Sequence, residues 1–274
     1  MTIKELKLAG TIAGAVFDRL AASYDDQFTQ SLIGRAQRNA VWKVLRKAFH
    51  SGDRVLELNC GTGEDAFFLS EQGVSTLGCD ASQHMIARAE QRLQHRQLPS
   101  RVAFRHLPTE RIGELAPESP FDGAFSNFSG LNCVADLAST ATDLSTLVKT
   151  GGSLVLCFST RFCLVEILHY SSRAQWRKAL RRCSGRAKAT LGGADLTIFY
   201  PTLRDVRRSF APHFRLRSLR GVGVAIPPSY LEPWVRSHPT LFRAFCRLES
   251  ALARLPLLRI SGDHMLLVFE KVSP

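Results

Sequence analysis

The chain has no apolar run approaching the roughly 18 residues that a membrane-spanning helix needs. Its seven cysteines include no Cys-x-x-Cys pair. An odd count without paired spacing argues against a disulfide framework or a zinc ribbon, and a reducing cytoplasm is the expected location. The histidines and acids do not cluster at ligand spacing, so no metal site is expected. Side chains that stack on bases are scarce, with three tryptophans and four tyrosines, and no recognisable RNA-binding module stands out. Met1 to Gly10 mixes lysines, a glutamate and apolar residues, which is not the pattern of a secretory signal.

Acidic residues are also scarce in one half. Residues 1–160 hold 16 Lys/Arg and 17 Asp/Glu, whereas residues 161–274 hold 20 and 7, so the whole formal excess of +12 lies in the C-terminal half. Such an asymmetry points to an acidic substrate, a nucleic acid or an anionic membrane surface. The bland alternative is a solvated arginine-rich face. What is present in quantity is apolar residue, 45% of 274, ample for one full α/β domain.

The chain is organised around residues 55–66. Val55 to Leu58 is a short apolar run suited to a strand buried on both faces. Asn59-Cys60-Gly61-Thr62-Gly63 then turns into Ala66-Phe67-Phe68-Leu69, which has helix composition. Strand, glycine turn, helix is the layout of a nucleotide site in an open α/β sheet. Glycine lets the backbone approach a ligand, and the helix start offers unpaired N–H groups. Glu64 and Asp65 place two carboxylates where a pyrophosphate would sit, which counts against a dinucleotide. Glu57 at the strand end would repel phosphate but pair with an ammonium. A second apolar strand runs from Val74 to Leu77 and closes on Gly78-Cys79-Asp80-Ala81-Ser82. Asp80 stands where an acid grips ribose hydroxyls.

This set, Glu57, Asn59, Gly61, Gly63 and Asp80 in register, resembles the class I S-adenosylmethionine-dependent methyltransferases over about residues 15–160. Asn59 replaces a glycine common in that family, and Asn tolerates left-handed backbone. The resemblance implies S-adenosylmethionine as cofactor. It also implies a Rossmann-like, doubly wound α/β fold whose seven-stranded sheet ends in an antiparallel strand. Thr62 and Ala81 fall within the same matched runs. The segment Phe17 to Asp25 is similar to a family segment whose tyrosine lies near the cofactor, which makes Tyr24 a candidate. Asp80-Ala81-Ser82 to Ala89 is similar to a family run in which Met85 packs against adenine, where a flexible thioether suits a flat ring. After the third strand, at Arg101 to Arg105, the family often carries an acid for the adenine amino group. This chain has His106-Leu107-Pro108, so backbone near Leu107 is the expected substitute. Arg35 and Arg38, on a helix expected from about Ile33 to Phe49, either reach the cofactor carboxylate or lie on the surface.

In open α/β sheets ligands sit beyond the strand carboxyl ends, so Ser126 and Asn127, ending the strand from Phe121, are expected to face the transferred methyl. Asn127-Phe128-Ser129-Gly130 lacks the prolines of base-amino methyltransferases. A helix over Asp136 to Lys149 and a fifth strand over Ser153 to Phe158 complete the cofactor half. The expected divisions of this single domain are N-terminal helices (1–50), a cofactor-binding core (51–160), helical lid insertions over the substrate (161–262) and a last strand (263–274). Within the third part, a helix beginning at Phe162 is expected to continue through the basic run 173–188. The amphipathic helix Pro239 to Leu255 is expected to pack Leu241, Phe242, Phe245, Leu248, Leu252 and Leu255 inward. His169 and His213 are candidate general bases.

Three functions fit these residues. One is methyl transfer to a small-molecule acceptor, anionic, hydrophobic or lipid-like, with peripheral membrane contact as an option. The second is methylation of RNA recruited by the basic half; the missing RNA-binding module counts against it. The third is cofactor binding without turnover, which the intact Gly61, Gly63 and Asp80 argue against.

Overall fold

The computed structural model describes residues 3–96, 101–191 and 193–273, with side chains from Ile12 onward. Met1 and Thr2, at the start of the expected N-terminal helices, lie outside the described residues. In chain order the elements are α1 (Ile3–Leu20), α2 (Leu32–Ala48), β1 (Arg54–Leu58), α3 (Glu64–Glu71), β2 (Ser75–Asp80), α4 (Gln83–His95), β3 (Val102–His106), β4 (Phe121–Ser126), α5 (Leu137–Leu147) and β5 (Val148–Ser159). The C-terminal half adds α6 (Leu164–Ser171), α7 (Trp176–Ala179), β6 (Arg186–Leu191), β7 (Ala194–Phe199), α8 (Leu203–Phe210), β8 (Phe214–Val222), α9 (Glu232–Ser237), α10 (Pro239–Leu252) and β9 (His264–Lys271).

Seven strands form one sheet in the order β3-β2-β1-β4-β5-β9-β8. The first five run parallel, and β9 lies antiparallel between β5 and β8. This is the doubly wound sheet with an antiparallel last strand expected above. Its strands are apolar because both faces are covered: Leu56, Leu58, Leu154 and Leu156 face one core, and Val55, Phe125, Val155 and Leu266 face the other. The strand order reverses between β1 and β4, so the ligand crevice belongs beyond the carboxyl ends of β1, β2 and β4.

The part from 161 to 262 differs from a set of helical insertions. The basic run does not continue as a helix. Ala174 takes a positive φ of 55° and Gly185 one of 82°, and each breaks a helical path. Only the short α7 remains, and Arg186 enters an antiparallel hairpin, β6 with β7. The alternation of Thr190, Leu196 and Ile198 suits that hairpin better than a helix. Leu196 and Ile198 pack on Ala13, Val16 and Phe17 of α1. Farther on, α8 packs on α5 and β8 joins the main sheet, so both belong to the core and not to a lid.

A buried ion network fastens the insertion to the sheet. The Glu166 carboxylate of α6 accepts bonds from Arg181 (2.8 and 2.9 Å) and from Arg182 (3.1 and 2.7 Å). Arg182 also donates to Asp263 at 3.0 Å, and Gln37 of α2 donates to the other Asp263 oxygen at 3.3 Å. Burial pushes the Asp263 carboxyl up, but the charges of His264 and Arg182 and the hydrogen bonds from Arg182 and Gln37 leave it below its ordinary value.

Candidate functional site

A cavity of about 150 Å³ opens at the predicted crevice, lined by Tyr24, Asn59, Gly61, Asp80, Ala81, Met85 and Asn127 among others. Phe17 and Ala13 of α1, Ile198 of β7, and Phe128, Ser129, Gly130 and Cys133 complete its wall. Seven of the twelve residues put forward for the cofactor thus meet on one surface.

The turn after β1 builds one side. Asn59 has φ 56° and Gly61 φ 53°, the left-handed region that Asn and Gly enter at least expense. A Cβ on Gly61 would meet only Tyr24, at 3.8 Å, so the glycine keeps backbone open to the cavity. Asn59 holds the turn in place: it donates to Thr109 Oγ1 (3.1 Å) and accepts from Ser126 Oγ (3.1 Å). Asp80, at the end of β2, accepts the Gly61 N–H and the Ser82 N–H, both at 2.8 Å. Burial raises its carboxyl while those two N–H groups pull the other way. With two oxygens and about four lone-pair sites, Asp80 keeps acceptor capacity toward the cavity. Ser82 caps α4 by accepting from Met85 N at 3.0 Å, and this start of the helix aims the Met85 side chain inward.

The loop after β4 supplies the opposite side. Phe128 and Ser129 both have positive φ, 43° and 66°; such strain collects where a structure must present particular groups. Asn127 Nδ2 donates to Asp65 at 2.9 Å. Asp65 also accepts from Trp42 Nε1 at 2.6 Å and pairs with Arg38 at 2.7 Å. Arg38 is therefore no surface residue: it is 6% exposed and lies 4.8 Å from the centre of the Phe128 ring. Tyr24 is pushed up to about 12 by burial, with Arg38 opposing.

The other five candidates stand off the cavity. Glu57 is buried beneath the turn, with Oε2 lacking a hydrogen-bond partner among the described residues and its carboxyl pushed well up by burial. Thr62 faces away and donates to Asp25 at 2.6 Å. The space beside Gly63 is filled by the Phe104 ring, 2.5 Å from where a Cβ would be. Leu107 lies in the core, its N–H bonded to the Asp80 carbonyl at 2.9 Å. Ser126 serves Asn59.

Neither proposed base lines the cavity. His213 precedes β8, and its carbonyl accepts from Val272 beyond the end of β9. β8 runs parallel to β5, so His213 lies at the amino ends of the parallel strands, opposite the crevice. His169, on α6, is bonded by Arg173 at 3.0 Å and faces Tyr230. Burial, then Arg173, lowers its pKa. The histidine that sequence reasoning missed is His264, the first residue of β9. It is 6% exposed and packs edge-on against Phe128 with centroids 5.7 Å apart; its Nδ1 makes no hydrogen bond among the described residues and lies 3.7 Å from the Asp263 carboxylate. Burial lowers its pKa, against the opposing charge of Asp263.

Residues 55–152 match a family model described as a methyltransferase domain. A 2-phytyl-1,4-naphtoquinone methyltransferase from Synechococcus elongatus is 31% identical over 150 residues, which cover 53% of this chain and 62% of that protein. An S-adenosyl-L-methionine-dependent Diels-Alderase from Talaromyces variabilis is 29% identical over 121 residues, covering 44% and 38%. The chain thus spans less than two thirds of the length of these relatives. Among solved structures, the cyclase SpnF superposes with a TM-score of 0.63 at 16% identity, covering 97% of both chains. Residues 55–152 thus match a methyltransferase domain, and the sheet and crevice around them have the fold of the S-adenosylmethionine-dependent methyltransferases.

Proposed function

We propose that the protein transfers a methyl group from S-adenosylmethionine to a small, largely apolar acceptor. The observation that carries this reading is the meeting of the Asp80 carboxylate and the open backbone at Gly61 on one cavity wall, beyond the strand ends. Asp80 offers its remaining lone pairs to ribose hydroxyls. Ala81 and Met85 give an apolar surface for a flat ring. Asn127, which Asp65 ties to Arg38 and Trp42 of α2, closes the side toward the reacting end together with Tyr24. When bound, the cofactor supplies an activated methyl on a sulfonium. The chain's task is then to align the acceptor and exclude water.

The cavity is smaller than the roughly 300 Å³ at which ligand pockets begin. The elements that bound it on the side away from the sheet are α1 and the β6–β7 hairpin. The walls those elements contribute, Ala13, Phe17 and Ile198, are apolar, as are Phe128 and Cys133 opposite. That supports an apolar acceptor, in keeping with the naphtoquinone relative. Where the acceptor atom holds a proton, His264 is better placed than His169 or His213 to receive it: burial favours its neutral form, and the Asp263 carboxylate 3.7 Å from Nδ1 would stabilise the protonated one. Phe128 stands between His264 and the cavity and would have to turn aside.

The RNA reading is weakened by the ion network, because Arg181 and Arg182, central to the basic run, are engaged by Glu166. A second reading, cofactor-bound cyclisation without methyl transfer, has the Diels-Alderase relative in its favour.

Titration calorimetry tests the core of the proposal. S-adenosylmethionine should bind the parent, and Asp80→Ala should weaken binding by about 1.5–3 kcal/mol, the scale of lost charge-assisted bonds. Unchanged affinity in that variant, or binding of NADH with none of S-adenosylmethionine, would remove the basis for this function. Labelled methyl appearing in a naphthoquinol panel separates transfer from cyclisation.

A further inference from the structure

Of the six residues α10 was expected to turn inward, Phe242 is buried and Phe245 and Leu252 are half-buried, but three leucines face out. Phe242 and Glu249 are its buried residues. Leu241, Leu248 and Leu255 are 44%, 52% and 47% exposed, and Ala244 and Ala251 between them are exposed as well. The inward side is committed by Glu249, whose carboxylate accepts the backbone N–H groups of Gly223, Val224, Ala225 and Ile226 at 2.8–3.2 Å. Just beyond the helix, Leu257 is 81% exposed. Phe162 and Leu164, also exposed, adjoin this ledge, since Leu164 N bonds the Ser261 carbonyl at 2.9 Å.

We propose that this face docks on an anionic lipid bilayer. Charge decides the occupant. Residues 239–262 contain four arginines and one acid, the buried Glu249. Among the described residues, Arg243, Arg247 and Arg254, which flank the stripe, form no ion pair with a carboxylate. An apolar stripe edged by unneutralised arginines is the pattern of a helix lying in a membrane interface, its leucines entering the acyl boundary and its guanidinium groups reaching the headgroups. The spacing 241, 244, 248, 251, 255 would also suit a coiled-coil seam with a second copy. That fit is poor: α10 has 14 residues, about two heptads, and Arg247 and Arg254 would border the seam with no acid opposite. Lipid meets both features without repulsion. The ledge leads through Ser261 and Gly262 to Asp263 and His264, at the crevice end of the sheet, so an acceptor dissolved in the bilayer would be delivered on the correct side. The surface itself does not depend on methyl transfer.

The test is co-sedimentation with phosphatidylcholine vesicles, with and without about one third phosphatidylserine, alongside calorimetry with S-adenosylmethionine. The parent should sediment with the anionic vesicles, and high salt should release most of it. Leu248→Glu combined with Leu257→Glu should reduce binding at least tenfold. Arg243→Glu, Arg247→Glu and Arg254→Glu together should reduce it on the order of a hundredfold, from about fivefold per basic residue. Cofactor affinity should hold in both variants, since every substituted side chain is exposed. Failure of the parent to bind anionic vesicles overturns the proposal whatever the variants do. So does equal binding by the variants, a parent dimer that Leu248→Glu dissociates, or RNA binding that only the arginine variant loses. If vesicles bind but S-adenosylmethionine does not, the surface stands and the functional reading falls.

Discussion

Arg182→Met is expected to lower unfolding stability by about 3–5 kcal/mol at neutral pH, the range for breaking one side of a buried ion pair. The residue is 7% exposed and donates to both Glu166 and Asp263. Methionine fills much of the volume but leaves two buried carboxylates with the half-exposed Arg181 beside Glu166, and with Gln37 and His264 beside Asp263. The sign of the pH dependence is distinctive. In the parent, the Asp263 carboxyl lies below its ordinary value. Its contribution is therefore full above the unfolded carboxylate range near 4 and fades as pH falls through the lower folded value. In the variant, Asp263 keeps His264 and the Gln37 hydrogen bond but loses the charge and the hydrogen bonds of Arg182, so its carboxyl should move upward and protonation should relieve it. The difference between parent and variant should be largest at pH 7 and narrow toward pH 4. Urea unfolding at both pH values checks this; a difference that is small at pH 7, or that grows with acid, would show the network to be dispensable.

Gly61→Val is expected to abolish measurable cofactor binding, a loss of at least a hundredfold. Two effects add. The φ of 53° is strained for any residue with a Cβ and most for a branched one. The new side chain would also project toward Tyr24, 3.8 Å from its Cβ, and so into the space the cofactor needs. The fold should survive, since the turn is otherwise held by Asn59 and Asp80, with stability lower by about 1–3 kcal/mol. Gly61→Ala is the control: it carries the backbone strain with little of the bulk. If valine and alanine weaken binding equally, conformation and not occupancy explains the loss. If neither weakens it, the cavity is not the cofactor site.

The parts of the site that could be read from the chain were those whose logic is local. A strand, a turn with Asn59 and Gly61, and an acid closing the next strand are adjacent in a parallel sheet because β1 and β2 pair directly, so Asp80 meets Gly61. Met85 follows from the cap at Ser82 one turn earlier. What escaped depends on distant pairing. Arg38 could be read toward the cofactor or toward the surface, and Asp65 only as a charge opposed to phosphate; they meet as a buried pair because α2 lies across the start of α3. His264 could not be singled out without knowing that β9 enters the sheet at its crevice end, and His213 was misplaced for the same reason in reverse. The basic run 173–188 misled because composition shows charge but not partners: two of its arginines turn inward to one glutamate. The leucines of α10 have helical spacing, and spacing alone does not say which face is turned to the protein.

The fastening of the insertion bears on how such a protein can be re-engineered. Glu166, Arg181 and Arg182 belong to the insertion, but their counterparts, Asp263 and Gln37, lie in the last strand's approach and in the second helix. The segment that would set acceptor choice is thus not a detachable cassette. A chimera that imports residues 160–200 from a relative would strand Asp263 without a cation unless the donor brings an equivalent of Arg182. Positions 37 and 263 should travel with the insertion as a unit, and a library that randomises the insertion while holding Arg182 fixed should retain far more folded members than one that does not.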